Sequence, residues 1–173
     1  EYLKRDVQSG QLDATMLARI HGMKPSLPDW YRTELTACAG AAGIDEDVLL
    51  FAQCEGDIRS LAGCTTYVAL NAATNDGNME IGRNFDYRGL ESTGDCVVVL
   101  AVVPNRTDGY AFLAVGWSGI LGGWTLINEK GLFVANNLGG FNEKNPKGIP
   151  TLILARMIAQ KTGNLDEAID LIK

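Results

Sequence analysis

Apolar positions recur at helical spacing in the first third of the chain and at strand spacing after it. From Gln11 to Ile20, the residues Leu12, Met16, Leu17 and Ile20 share one helical stripe. Gly22 is the expected stop, and Pro25 and Pro28 mark a loop. Asp29 is placed to cap a second helix to about Ala42, with Trp30, Leu35, Cys38 and Ala42 on or near one stripe and Gly43 ending it. A third helix, capped by Asp45 or Asp47, carries Val48, Leu49, Phe51 and Ala52 until Glu55-Gly56-Asp57 breaks the pattern.

From Cys64 the period changes. Cys64 to Ala72 is β-rich, Asn75-Asp76-Gly77-Asn78 is a turn, and Met79 to Tyr87 returns with Met79, Ile81, Arg83 and Phe85 on one face. This predicts a hairpin. Val97 to Val103 is an unbroken apolar run, which predicts a strand buried on both faces. Tyr110–Val115, Thr125–Ile127 and Leu132–Asn136 supply further strands, the last two joined by a turn at Asn128-Glu129-Lys130-Gly131. Helices then return. Pro150 suits a first helical position, Thr151 to Gln160 is apolar nearly all round, Gly163 stops it, and Asn164-Leu165-Asp166-Glu167 resembles a capping box. The order predicts one α+β domain over residues 1–173, with helices packed on antiparallel sheet.

Composition narrows the chemistry. The 173 residues suit a single domain, and 46% hydrophobic with 21% charged residues excludes disorder. A net charge of 15 − 21 = −6 with no basic run argues against nucleic acid as a partner. No apolar run approaches the ~20 residues that span a bilayer. Fourteen of the 20 glycines lie after Cys64, so turns and close backbone approaches concentrate there. The chain opens Glu1-Tyr2-Leu3-Lys4 without a Met and stops at Leu171-Ile172-Lys173 in a helical pattern. Both ends read as cut, and the compartment is not legible.

The single histidine, His21, reads as a surface or capping residue. It excludes a His-rich zinc site, and the four cysteines have no Cys-x-x-Cys spacing. Cys38, Cys54 and Cys96 read as small buried apolar groups. Gly116, Gly119 and Gly122 do not make a dinucleotide fingerprint, since the Gly-x-Gly start is missing. A nucleophile in such a chain needs a base other than histidine. One candidate is the α-amino group of a residue exposed by chain cleavage, whose reference pKa of about 7.7–8.0 is near that of a thiol. Cys64 meets the sequence requirement: Gly63 precedes it, it starts a strand, and Thr65-Thr66 follows.

Gly63-Cys64-Thr65-Thr66, followed by a hairpin and Gly82-Arg83-Asn84-Phe85-Asp86-Tyr87, resembles the N-terminal-nucleophile amidohydrolases. The nearest likeness is to the isopenicillin-N acyltransferase (acyl-coenzyme A:6-aminopenicillanic acid acyltransferase) family, with acid ceramidase and bile-salt hydrolase as relatives. Gly116-Trp117-Ser118-Gly119-Ile120-Leu121-Gly122-Gly123 and Asn128-Glu129-Lys130-Gly131-Leu132 are similar to the glycine-rich and Asn-x-x-Gly-Leu stretches of that group. The resemblance implies an α-β-β-α sandwich of antiparallel sheets between helical layers, incomplete at both ends.

It also implies roles. Cys64 would attack the Gly63 carbonyl, release residues 1–63, and then serve as nucleophile with its new α-amine as base. Asp86 would hold that amine, and Arg83 would sit by the sulfur, favour the thiolate and orient substrate. The alternative for these two is a structural salt bridge. Asn136 or Asn137 would supply an oxyanion donor, or else form a turn pair. Tyr87, Trp117 and Trp124 are candidates for lining an acyl pocket, against a plain core role. The implied activity is hydrolysis of, or acyl transfer from, a non-peptide amide. It needs no metal or organic cofactor, and a coenzyme A thioester would be the acyl donor if transfer is the reaction. Partners beyond a small acyl amide are self-association of cleaved segments or a homo-oligomer. The rivals are a cysteine enzyme that is not self-cleaving, with a base supplied by Asp86 or from outside this chain, a silent module on the same scaffold, and a precursor that needs a partner or a missing segment.

Overall fold

The computed structural model describes residues 12–59, 62–87, 94–137, 139 and 145–173, with the side chains of Arg59, Ala62 and Tyr87 outside that description. Gln11, the predicted start of the first helix, lies outside it too. Among the described residues three helices come first: α1 (Ala14–Met23), α2 (Asp29–Ala42) and α3 (Glu46–Arg59). Asp13 caps α1 by accepting from the Met16 N–H at 2.8 Å. Gly43 ends α2 in the left-handed conformation at φ 63°, where a Cβ would be strained.

Three predicted boundaries are corrected. Asp29 is the first residue of α2 rather than its cap, and Pro28 holds the N-cap position without a side-chain hydrogen bond. Helix α1 runs through Gly22 to Met23, and α3 runs through Glu55-Gly56-Asp57 to Arg59. A glycine inside a helix costs about 1 kcal/mol relative to alanine, which tertiary packing readily overrides. Asp57, moreover, finds its partner across the fold at Thr151.

The β part has two antiparallel sheets. Strands β1 (Ala62–Asn71) and β2 (Gly77–Tyr87) form the hairpin. Strands β3 (Val97–Val102), β4 (Phe112–Trp117), β5 (Thr125–Asn128) and β6 (Phe133–Ala135) form the second sheet in that order. Two helices follow, α4 (Thr151–Lys161) and α5 (Leu165–Ile172). The α+β class with antiparallel sheets is the one expected, and it agrees with a sandwich of that type.

Burial alternates along β4: Phe112 and Ala114 face inward with Leu126, against Ala155 and Ala159 of α4. Leu113 and Val115 point the other way and are exposed, as are Ile127, Val97 and Val99. The expectation that Val97–Val103 is buried on both faces is therefore wrong. As the edge of its sheet, β3 leaves Val99 66% exposed. An apolar run reports only that a strand could be buried. Cys96 is likewise exposed rather than buried, Cys38 is half-buried, and only Cys54 is a core thiol.

The main core belongs to the helices. Ile20, Leu27, Tyr31, Leu35, Leu50, Phe51, Cys54 and Ile58 pack together, with Ile153 of α4 inserted among them. Full burial of each such aliphatic side chain contributes about 1.5–3 kcal/mol. Pro150 precedes α4 as its N-cap rather than as its first residue. Asn164 caps α5 by accepting from the Glu167 N–H at 3.0 Å, as the capping-box pattern predicts.

Polar clamps tie the layers. The side chain of Gln53, on α3, is 0% exposed. Its oxygen accepts from the N–H of Leu121 at 2.7 Å and of Gly122 at 3.2 Å, and its amide donates to the Gly119 carbonyl at 2.8 Å. Arg156 of α4 is 2% exposed, forks onto Glu34 of α2 at 2.8 and 2.6 Å, and donates to the Leu121 carbonyl at 2.7 Å. The loop between β4 and β5 is thus gripped from two helices. Gly122 allows the close approach: a Cβ there would lie 2.6 Å from the Leu152 carbonyl oxygen. Asn128 does the same work at the other end of α4. Its amide donates to the carbonyls of Ala159 at 2.9 Å and Thr162 at 2.8 Å, while its oxygen accepts from Lys130 and Leu132 N–H groups. The Asn-Glu-Lys-Gly-Leu stretch is therefore a structural joint.

Candidate active site

The hairpin register assembles the site. Cys64 pairs with Phe85, Thr66 with Arg83 and Gly63 with Asp86. Paired residues in an antiparallel ladder share a face, and diagonal neighbours are within reach of long side chains. Cys64, Thr66, Arg83 and Phe85 therefore occupy one face. Arg83 Nη2 donates to Cys64 Sγ at 3.3 Å. The same nitrogen donates to the Asn136 carbonyl at 2.6 Å, and the guanidinium lies over the Phe85 ring at 4.7 Å. Burial pulls the Arg83 pKa below the usual arginine value, while a negative charge on the Cys64 sulfur opposes that shift. An arginine stays protonated regardless. A fixed cation beside a sulfur stabilises an anion formed there.

Asp86 occupies the opposite face from the thiol. It stands across from Gly63, and a Cβ built on Gly63 would be 3.9 Å from Asp86 Oδ2. Its Oδ1 accepts from Asn84 Nδ2 at 2.8 Å. Gly63 and Asp86 are thus neighbours at the Gly63–Cys64 junction, with the carboxylate beside the backbone and the guanidinium beside the sulfur. The structural alternative, an Arg83–Asp86 salt bridge, conflicts with this register because the two side chains leave opposite faces of β2.

The two asparagines separate. Asn136 turns its side chain into the scaffold, donating to the carbonyls of Thr151 at 3.2 Å and Gly123 at 3.5 Å. Only its backbone carbonyl meets Arg83. Asn137 Oδ1 accepts from Thr66 Oγ1 at 3.1 Å, which brings the Asn137 amide to the face that carries Cys64.

Trp117 and Trp124 back the site from below. Their ring centroids lie 5.3 and 4.8 Å from that of Phe85 and 6.4 Å from each other. Trp124 is 4% exposed and packs with Leu152 of α4, which is core packing. Trp117 is half-buried in the same cluster. This aromatic block anchors the hairpin to the second sheet. Tyr87 pairs with Ala62 at the end of β2, and its side chain lies outside the described residues. His21 is away from this group, bonded to Asp47 at 2.7 Å on the surface.

Several contributors carry no motif. Thr66 and Phe85 stand in the quoted motifs without a role there, and the register shows that they share the face of Cys64 and Arg83. Asp57 and Gln53 are one turn apart on α3 and touch segments more than sixty residues away. A signal existed in the polar residues set among Leu50, Phe51, Cys54 and Ile58, since a polar group on a buried stripe needs a partner. Among the described residues, no group of His, Cys, Asp and Glu is placed to hold a metal ion. No described helix is long and apolar enough to cross a membrane.

Comparison with known proteins bears on the same residues. The chain is 25% identical over 112 residues to an uncharacterized protein of Archaeoglobus fulgidus, a match that covers 64% of this chain and 18% of that protein. The chain thus spans less than a fifth of the length of the curated relative it matches. A family model, acyl-coenzyme A:6-aminopenicillanic acid acyl-transferase, matches residues 73–173. The matched region holds Arg83, Asp86, the glycine loop and both asparagines, and it begins downstream of Cys64. With more than half its length matched, the chain belongs to the acyl-coenzyme A:6-aminopenicillanic acid acyl-transferase family.

Proposed function

We propose that this chain carries a self-processing cysteine amidohydrolase or acyltransferase site, with Cys64 as nucleophile and a non-peptide amide as substrate. The observation that carries the reading is the Cys64 Sγ–Arg83 Nη2 contact of 3.3 Å, with Asp86 across from Gly63. In the first step the sulfur adds to the Gly63 carbonyl carbon. The C–N bond breaks as the C–S bond forms, and the thiol proton ends on the departing nitrogen. Water then hydrolyses the thioester, which leaves a Gly63 carboxylate and a free thiol. The α-amine so created starts β1 beside the position Gly63 held, where Asp86 accepts its hydrogen bond.

In the second role, that amine takes the thiol proton, directly or through one water. The sulfur attacks the acyl carbon of substrate while Arg83 stabilises its charge. Asn137, rather than Asn136, supports the developing oxyanion, because the Asn136 amide is already committed to Thr151 and Gly123. The acyl-enzyme thioester passes to water in hydrolysis, or to an amine in transfer. A coenzyme A thioester would be the acyl donor in the transfer case. Of the two tryptophans Trp117 is the half-buried one and the better candidate to touch an acyl group.

A second reading, a precursor state, has its own support. Gly63 and Cys64 lie inside a regular paired strand, and attack on that carbonyl requires the strand start to distort. Intact mass and a denaturing gel of fresh protein beside Cys64→Ala test both. Pieces of 63 and 173 − 63 = 110 residues, absent from the variant, support self-processing. A wild type that stays whole over days refutes it for this chain.

A further inference from the structure

We propose that Asp57 is a positioning residue for the Cys64–Arg83 pair, acting through Thr151 and Asn136. The inference rests on the reading of Cys64 as nucleophile and adds a residue to that site. Asp57 Oδ1 accepts from Thr151 Oγ1 at 2.8 Å, and its two oxygens accept from the Thr151 N–H at 3.3 and 3.2 Å. Thr151 is the first residue of α4, so this contact fixes where the helix begins. The Thr151 carbonyl accepts from Asn136 Nδ2 at 3.2 Å. The Asn136 carbonyl accepts from Arg83 Nη2 at 2.6 Å, and that nitrogen reaches Cys64 Sγ at 3.3 Å.

Each step has one dominant direction. Arg83 lies on a two-stranded hairpin, which is marginal by itself. Its Nε is buried with no hydrogen-bond partner among the described residues, and Nη2 makes the contacts to Asn136 and Cys64 while the guanidinium lies over Phe85. The Asn136 carbonyl is the shorter of its two contacts. Asn136 is fixed in turn by its N–H to the Trp124 carbonyl at 3.0 Å and its amide to Thr151. Loss of Asp57 frees the start of α4 and Thr151, and Asn136 loses the partner that aims its carbonyl. Asp57 lies upstream of Gly63, so the segment before the proposed cleavage point still serves the site after cleavage.

The test reads the thiol and not turnover. Cys64 and Cys96 are alkylated with iodoacetamide in the full-length protein near pH 7, and both rates follow from peptide mass spectrometry. Exposed Cys96 is the internal standard. Asp57→Ala lowers the Cys64/Cys96 rate ratio about fivefold, the loss of part of one charge-assisted hydrogen bond. Asp57→Asn, which keeps an acceptor for Thr151, restores most of it. Thr151→Val, which keeps the backbone N–H contact, gives a smaller drop and serves if Asp57→Ala does not fold. Leu35→Ala, in the helical core and outside this chain of contacts, lowers stability without moving the ratio. A fast wild-type Cys64 whose ratio survives both Asp57→Ala and Thr151→Val overturns this inference alone. So does a ratio that Leu35→Ala moves as much. Equal wild-type rates at Cys64 and Cys96 overturn the activated-thiol reading and this inference with it.

Discussion

Replacing Gln53 by leucine isolates what the buried amide contributes, because the two side chains are similar in volume. Four partners lose a hydrogen bond: the N–H groups of Leu121 and Gly122, the Gly119 carbonyl, and Tyr31 Oη, which donates to the Gln53 oxygen at 3.2 Å. The Leu49 carbonyl, also bonded to the Gln53 amide, is in mid-helix and keeps its backbone partner. The Gly122 and Tyr31 contacts are fully buried, and each orphaned group there costs about 1–3 kcal/mol. The Leu121 and Gly119 contacts are part-buried, where water recovers some of the loss. Leucine returns part of the total because no amide needs desolvating. The net is about 4 kcal/mol, a large share of the ~5–15 kcal/mol that holds a domain folded. At about 2–4 °C per kcal/mol for a chain of this size, thermal unfolding moves down by about 8–16 °C. Urea unfolding with tryptophan fluorescence is a second readout, since Trp117 and Trp124 flank the released loop. A shift under ~3 °C would refute the view that Gln53 clamps this loop against α3.

Asn128→Ala removes two hydrogen bonds donated to the end of α4 and two that its oxygen accepts from the β5–β6 turn, and costs about 2–4 kcal/mol in urea unfolding. Asn128→Asp costs at least as much near neutral pH, because a carboxylate then faces the Ala159 and Thr162 carbonyls, and part of the loss returns on acidification. Lys24 lies 2.6 Å from Glu46, and the hydrogen bonds from Lys24 and then Thr36 hold the Glu46 carboxyl below its ordinary 4.5. A depressed carboxylate contributes stability above its unfolded pKa and loses it as pH falls through the folded one. Wild type and Glu46→Gln should therefore differ at neutral pH, by under about 1 kcal/mol for this half-buried surface pair, and converge below pH 4.5.

Local elements were legible wherever one face of the chain meets one environment. The stripe of Met16, Leu17 and Ile20, the helix that Gly43 ends and the Asn164 cap needed no tertiary information. Period and capping act over a single turn. The Asn75–Asn78 turn and the alternation from Met79 to Phe85 predicted the hairpin, and with it the face shared by Arg83 and Phe85. Elements that depend on what lies opposite were not legible. Gly22 and Gly56 stand inside helices because their surroundings hold them there. Val97–Val102 has the composition of a central strand and the position of an edge.

The same division runs through the site. The sequence by itself offered His21 as the one histidine of these 173 residues, which turned the search for a base toward other groups. It placed Cys64 after a glycine and Arg83 and Asp86 on the strand that returns, but the expected strand start at Cys64 is corrected: β1 begins at Ala62, so Cys64 is its third residue. It also determined the resemblance those residues carry. Only the tertiary structure decided that Arg83 faces the thiol while Asp86 faces the Gly63 side, because β1–β2 register sends alternate residues to opposite faces. Only packing separated Asn136 from Asn137, turned Trp124 into core, and enlisted Gln53 and Asp57 from a helix without a motif. A motif records residues that touch the reaction. The groups that hold them in place are chosen by distance in space, which the order of residues along the chain does not state.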